Sequence, residues 1–121
     1  MKRIAVIEDN ADNRLLVRAL LEDRFDVREY ESGVEAVLGM SREAPDAVLL
    51  DISMPGMDGL QVLALMRRDA RLAGIPAIAL TAHAMTGDAE RFLAAGFDGY
   101  VMKPIVDEGV LFAALEEALA A

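Results

Sequence analysis

The chain has 121 residues, with no cysteine, no tryptophan and only 5% aromatic residues. Lack of cysteine excludes a disulfide framework, a thiolate metal site and a cysteine nucleophile. No apolar run approaches the roughly 18–20 residues that a membrane-spanning helix needs. Basic runs are missing as well. Twelve Lys and Arg stand against 21 Asp and Glu, a net charge of −9, which speaks against binding to nucleic acid or to an anionic membrane. The opening Met1-Lys2-Arg3-Ile4-Ala5-Val6-Ile7-Glu8 pairs basic residues with an apolar stretch. That stretch is too short for a secretory signal and runs directly into acids, so it reads as a first strand. A cytoplasmic protein fits this balance best.

Apolar material is plentiful. Hydrophobic residues make up 55% of the chain, enough for one compact domain over residues 1–121 with a single buried sheet. Neither a repeat nor a linker divides the sequence, and it stops where a last helix is complete.

Short apolar runs alternate with amphipathic stretches. Ile4–Ile7 is a strand run ending at Glu8-Asp9, followed by a helical pattern from Asp12 with Leu15, Leu16, Ala19 and Leu20 at helical spacing. Asp26–Tyr30 reads as a second strand. Ser32-Gly33 opens a second helix through Met40, with Val34, Val37 and Leu38 expected inward and Ser32 and Glu35 at capping-box spacing. Ala47–Leu50 is a continuous apolar run, as a central strand covered on both faces requires. The loop Asp51–Gly59 is dense in proline and glycine. A third helix is expected over Leu60–Ala70 with Val62, Leu63 and Met66 on one face, a fourth strand over Pro76–Leu80, and a fourth helix over Ala84–Ala95 stopped by Gly96. Tyr100–Met102 is a short fifth strand, and Asp107–Ala120 a fifth helix. Five strands alternating with five helices imply an α/β fold with a parallel sheet covered on both faces.

The polar residues gather at strand ends: Glu8-Asp9, Asp51, Thr81-Ala82 and Lys103-Pro104. In an open α/β sheet these ends meet at the edge where ligands bind. Three carboxylates in one pocket repel each other unless a cation joins them. Magnesium suits such a site, because it takes one or two carboxylates, keeps waters and accepts phosphate oxygens. Adding the ammonium of Lys103 and the hydroxyl of Thr81 makes the set a phosphoryl-transfer site that works by positioning and charge neutralisation.

These residues, with Val6–Asn10, Asp51–Gly59 and Gly99–Pro104, resemble the receiver domains of bacterial two-component response regulators over essentially the whole chain. The resemblance implies a doubly wound, flavodoxin-like sheet of five strands in the order 2-1-3-4-5. It implies Asp51 as phosphoacceptor, and Mg2+ held by Asp9, Asp51 and the Ser53 backbone carbonyl, with Glu8 acting through a water. Thr81 and Lys103 would hold the phosphoryl oxygens, Tyr100 would turn inward as an aromatic switch, and the Lys103-Pro104 bond would be cis. For Tyr100 the plain alternative is an amphipathic strand residue with its hydroxyl in water. Glu8 departs from the aspartate common at its position, and Ser53 and His83 stand at variable positions thought to tune dephosphorylation.

The implied partner is a histidine kinase or a histidine phosphotransfer protein, docking on the first helix near Leu15, Leu16, Asn13 and Arg14 and on the loop after the fifth strand. The implied output is protein binding or relay. Nothing in this role makes the domain an enzyme beyond promoting its own phosphorylation and slow hydrolysis. The last helix carries Asp107, Glu108, Glu116 and Glu117 without a basic residue, so a monomer is expected. The main alternative is a degenerate receiver that binds partners without phosphorylation. A phosphatase of the aspartyl-phosphate type lacks its paired aspartates here, and a flavin module would need a phosphate loop that is not acidic.

Overall fold

A computed structural model describes residues 1–82, 87–105 and 107–120. In chain order the elements are β1 (Arg3–Ile7), α1 (Ala11–Leu21), β2 (Asp26–Tyr30), α2 (Gly33–Arg42), β3 (Ala47–Asp51), α3 (Gly59–Arg68), β4 (Ala77–Thr81), α4 (Asp88–Ala95), β5 (Gly99–Met102) and α5 (Glu108–Ala120). All strand pairs are parallel, as the alternation of elements implied, and the order is β2-β1-β3-β4-β5, as the resemblance implied.

The inner strands β1, β3 and β4 are almost wholly apolar and buried because both sheet faces are covered there, whereas the edge strand β2 carries Asp26, Arg28 and Glu29. Successive side chains of β1 go to opposite sides. Ile4 and Val6 join Val17, Leu21, Leu111 and Leu115 of α1 and α5. Ala5 and Ile7 join Ala36, Met40, Val62, Met66 and Phe92 of α2, α3 and α4.

Helix ends follow from local chemistry. Asn10 caps α1 by accepting the Asn13 N–H at 3.0 Å, and Ser32 accepts the Glu35 N–H at 3.2 Å. A reciprocal capping box forms at α3, where Asp58 and Gln61 exchange bonds of 2.9 Å. Helix α3 stops at Arg68, two residues short of expectation. Asp69 leaves helical geometry (φ −91°, ψ 118°), and its carboxylate accepts the Arg71 N–H at 2.9 Å, a side-chain turn that competes with the helix. Helix α4 is described from Asp88, behind Gly87 at φ 94°. The expected start at Ala84, with His83 and Met85, falls outside the described residues.

Two helix faces differ from the sequence reading. On α2, Val34 and Leu38 are 55% and 58% exposed, while Gly33, Ala36 and Met40 are the buried residues. The reason is close approach: a Cβ on Gly33 would lie 2.7 Å from Val62 Cγ2, so α2 turns its small residues toward α3. On α1 the buried residues are Val17 and Leu21, and Leu15 is 66% exposed. Among the described residues, no helix is long and apolar enough to cross a membrane.

Candidate functional site

The strand order reverses between β1 and β3, so the loops leaving their carboxyl ends part and open a crevice. Glu8 and Asp9 follow β1 directly, and Asp51 closes β3. Ligand oxygens of Glu8, Asp9 and Asp51 lie within 4.8 Å of one another. Glu8 and Asp51 are buried, whereas Asp9 is exposed.

Lys103 reaches this pair from the end of β5. Its Nζ lies 3.1 Å from Asp51 Oδ1 and 3.2 Å from Glu8 Oε2. The Lys103-Pro104 bond is cis, as the resemblance implied. The Lys103 backbone N–H donates to the Thr81 carbonyl at 2.8 Å, tying the end of β5 to that of β4. Thr81 is itself buried. The Ser53 N–H donates to Asp51 Oδ1 at 3.1 Å, which brings the Ser53 backbone beside the phosphoacceptor candidate. Glu8 Oε1 accepts from the Asn13 side-chain amide and from the Asn10 N–H, both at 3.3 Å.

The charges do not balance. Two buried carboxylates share one ammonium. Burial and the neighbouring Glu8 charge push the Asp51 carboxyl up to about 7, against the opposing pull of Lys103 and the Ser53 N–H. Burial alone would lower the Lys103 ammonium, but contact with Asp51 and Glu8 overrides it and the net shift is upward. The two rises have different leading causes: burial first and the Glu8 charge second for Asp51, contact with the Asp51 and Glu8 carboxylates for Lys103. Asp51 Oδ2 is buried and, among the described residues, has no hydrogen-bond partner. A buried acceptor left in that state is costly. An unpartnered carboxylate oxygen inside a set of three acids fits a hard divalent cation.

The expected residues thus come together, with one exception. Tyr100 lies on β5 beside Ala79 of β4 and is 39% exposed, so in this structure its ring is not turned into the core. Sequence reasoning placed Arg14 only near a docking surface and did not anticipate its contacts within the chain: Nη1 donates to the Glu8 carbonyl at 2.8 Å and to the Asp9 carbonyl at 3.2 Å. An arginine one helical turn after a strand-end acid pair has the reach to fold back on that turn, and this spacing was the available signal.

A doubly wound parallel sheet with acids and a lysine at its switch point defines a phosphoacceptor signalling module. The family model of the response regulator receiver domain matches residues 4–116, and the chain belongs to that family. It is 42% identical over 106 residues to the polar-differentiation response regulator DivK of Brucella ovis, covering 86% of this chain and 85% of the relative. It is also 42% identical over 107 residues to the sensor protein GacS of Pseudomonas syringae pv. syringae, where it spans only 12% of the relative's length. Among solved structures, the receiver domain of a sensor histidine kinase from Pseudomonas aeruginosa, with a magnesium ion coordinated in its active-site cleft, has a TM-score of 0.89 at 31% identity and covers 99% of this chain and 98% of that one. The chemotaxis protein CheY4 of Vibrio cholerae has a TM-score of 0.90 at 23% identity, with 98% of each chain covered. Members of the family are signalling modules of two-component systems, generally not enzymes acting on a separate substrate.

Proposed function

We propose that Asp51 accepts a phosphoryl group from a phosphohistidine on a histidine kinase or a histidine phosphotransfer protein, and that residues 1–121 act as one receiver domain. The carrying observation is the buried Asp51 carboxylate. One of its oxygens is held by Lys103 and the Ser53 N–H, and the other has no hydrogen-bond partner among the described residues. In the step proposed, a carboxylate oxygen of Asp51 attacks phosphorus, the nitrogen–phosphorus bond breaks, and the donor imidazole keeps that electron pair. Asp9, Asp51 and the Ser53 carbonyl would hold Mg2+, with Glu8 acting through a water. When bound, the ion neutralises charge on the phosphoryl oxygens. Lys103, already between the two carboxylates, transfers its contact to the phosphoryl group. Thr81 donates its hydroxyl there, and Tyr100 turns inward as Thr81 moves. The domain promotes its own phosphorylation and slow hydrolysis, and its output is phosphorylation-dependent protein binding or relay.

Intact-protein mass after incubation with acetyl phosphate tests this reading. A single phosphoryl adduct is expected in the presence of Mg2+, and none with Mg2+ removed or in Asp51→Asn. No adduct from either acetyl phosphate or a candidate kinase would replace this reading with that of a degenerate receiver.

The exposed Leu15 and Leu16 on α1 support kinase docking beside the pocket. Leu15→Glu is expected to slow phosphotransfer from the cognate kinase by about tenfold, the effect of losing one apolar anchor, with labelling by acetyl phosphate unchanged. Equal slowing of both reactions would assign Leu15 to the fold rather than to docking. The last helix, without basic residues, supports a monomer. A stable dimer at low micromolar concentration in sedimentation velocity would overturn that.

A further inference from the structure

Arg14 spends its guanidinium on backbone, as Arg67 does elsewhere in the fold, but the carbonyls Arg14 holds belong to the acid pair of the pocket. It donates to the Glu8 and Asp9 carbonyls, and its side chain is only 16% exposed. Two acids at the end of β2 hold it from behind: Glu29 Oε1 and Glu31 Oε2 each lie 3.9 Å from it. The β1–β2 pairing runs on past Ile7↔Tyr30, with the Glu8 N–H donating to the Tyr30 carbonyl at 3.1 Å. Arg14 thus ties the turn between β1 and α1 to the carboxyl end of β2.

We infer that Arg14 is a positioning residue for the cation site: by gripping the peptide carbonyls on either side of the Asp9 Cα, it fixes the direction of the Asp9 carboxylate. This rests on the reading of Asp9 as a metal ligand. Glu8 is buried and held by Lys103, Asn13 and the Asn10 N–H, so its own contacts orient it. Asp9 is exposed, so packing does not fix its direction and the backbone must. Groups that orient a ligand from behind commonly change metal affinity by about 10–100-fold when removed.

The sign of the effect separates this role from a purely electrostatic one. A guanidinium near a cation site repels the cation, so removing the charge alone would tighten binding. Loss of positioning would weaken it.

The test is Mg2+ binding by calorimetry on the full chain, with wild type, Arg14→Met, Arg14→Lys and Asp9→Asn, and metal-free melting curves for each. Methionine keeps the length of the stem and removes every donor. Lysine keeps the charge but offers no fork to span two carbonyls. The expected result is a Kd about tenfold weaker in Arg14→Met, a smaller loss in Arg14→Lys, and metal-free melting close to wild type in both. An unchanged or tighter Kd in Arg14→Met overturns the inference, as does an unchanged Kd in Arg14→Lys should the methionine variant not fold. Undiminished binding in Asp9→Asn would instead remove the reading of the site on which the inference stands.

Discussion

Lys103→Met is expected to destabilise the metal-free domain by about 3 kcal/mol, and Mg2+ is expected to close most of that gap. Lys103 Nζ lies 3.1 Å from Asp51 and 3.2 Å from Glu8, and both carboxylates are buried. Removing one partner of a buried ion pair costs about 3–5 kcal/mol because the other charge is left uncompensated. The low end applies here, since Asp51 can relieve the strain by taking up a proton. Asp51→Asn alone should have the opposite sign. It removes a charge that Glu8 repels and whose second oxygen has no partner among the described residues, so its melting temperature should rise. In the Lys103→Met background the gain should be larger still, giving an interaction energy of about 2 kcal/mol in a double-mutant cycle. A ligand that binds only the folded state adds stability by mass action, and a divalent cation neutralises the same carboxylates that Lys103 does. Urea denaturation with and without Mg2+ therefore decides the matter. If the cost of Lys103→Met is the same in both buffers and Asp51→Asn does not reduce it, the pocket is not a cluster of carboxylates in search of positive charge.

Much of this pocket was legible before any coordinates. Strand runs such as Ala47–Leu50 are apolar on both faces, which only a covered parallel sheet demands, and polar residues at the ends of such runs have one place to go. Asp51, Thr81 and Lys103 could thus be gathered from spacing alone. Helix faces were less legible. Val34 and Leu38 looked like the inward stripe of α2, yet Gly33 and Ala36 take that side, because the closeness of α2 to α3 favours small residues and hydropathy does not record distance. On α1, Leu15 and Leu16 are exposed as well, but there the buried side is taken by Val17 and Leu21 rather than by small residues. The role of Arg14 was marked by spacing alone, because its partners are carbonyls, which every residue carries, and no residue type in the sequence marks them. The exposed Tyr100 marks a further limit: its sequence position does not say which of two orientations the ring adopts.

Gly59→Ala is expected to cost about 3 kcal/mol, the upper end for overpacking a core, and to take phosphorylation of Asp51 with it. Gly59 is the first residue of α3 and is buried. A Cβ there would run into the backbone carbonyl oxygen of Asp51, and would lie 2.9 Å from Ile52 Cα and 3.0 Å from the Asp51 carbonyl carbon. None of these atoms belongs to a side chain that could swing aside. The Gly59 N–H also donates to the Ile52 carbonyl at 3.1 Å, and the Ile52 N–H to the Leu80 carbonyl at 3.0 Å, so the segment is held from both sides. Relief must come from shifting the end of β3, and that shift carries the Asp51 carboxylate away from Lys103 and Ser53. Gly39 supplies the control. A Cβ there would meet the ring of Tyr30, with its hydroxyl oxygen at 2.6 Å, but that is the far end of a side chain that can turn away. Alanine also favours the interior of α2 by about 1 kcal/mol over glycine. Gly39→Ala should therefore leave both melting temperature and labelling by acetyl phosphate near wild type, while Gly59→Ala loses both. If Gly59→Ala melts like wild type and is labelled at the wild-type rate, the loop after β3 has slack, and the precise placement of Asp51 does not depend on the close approach of α3.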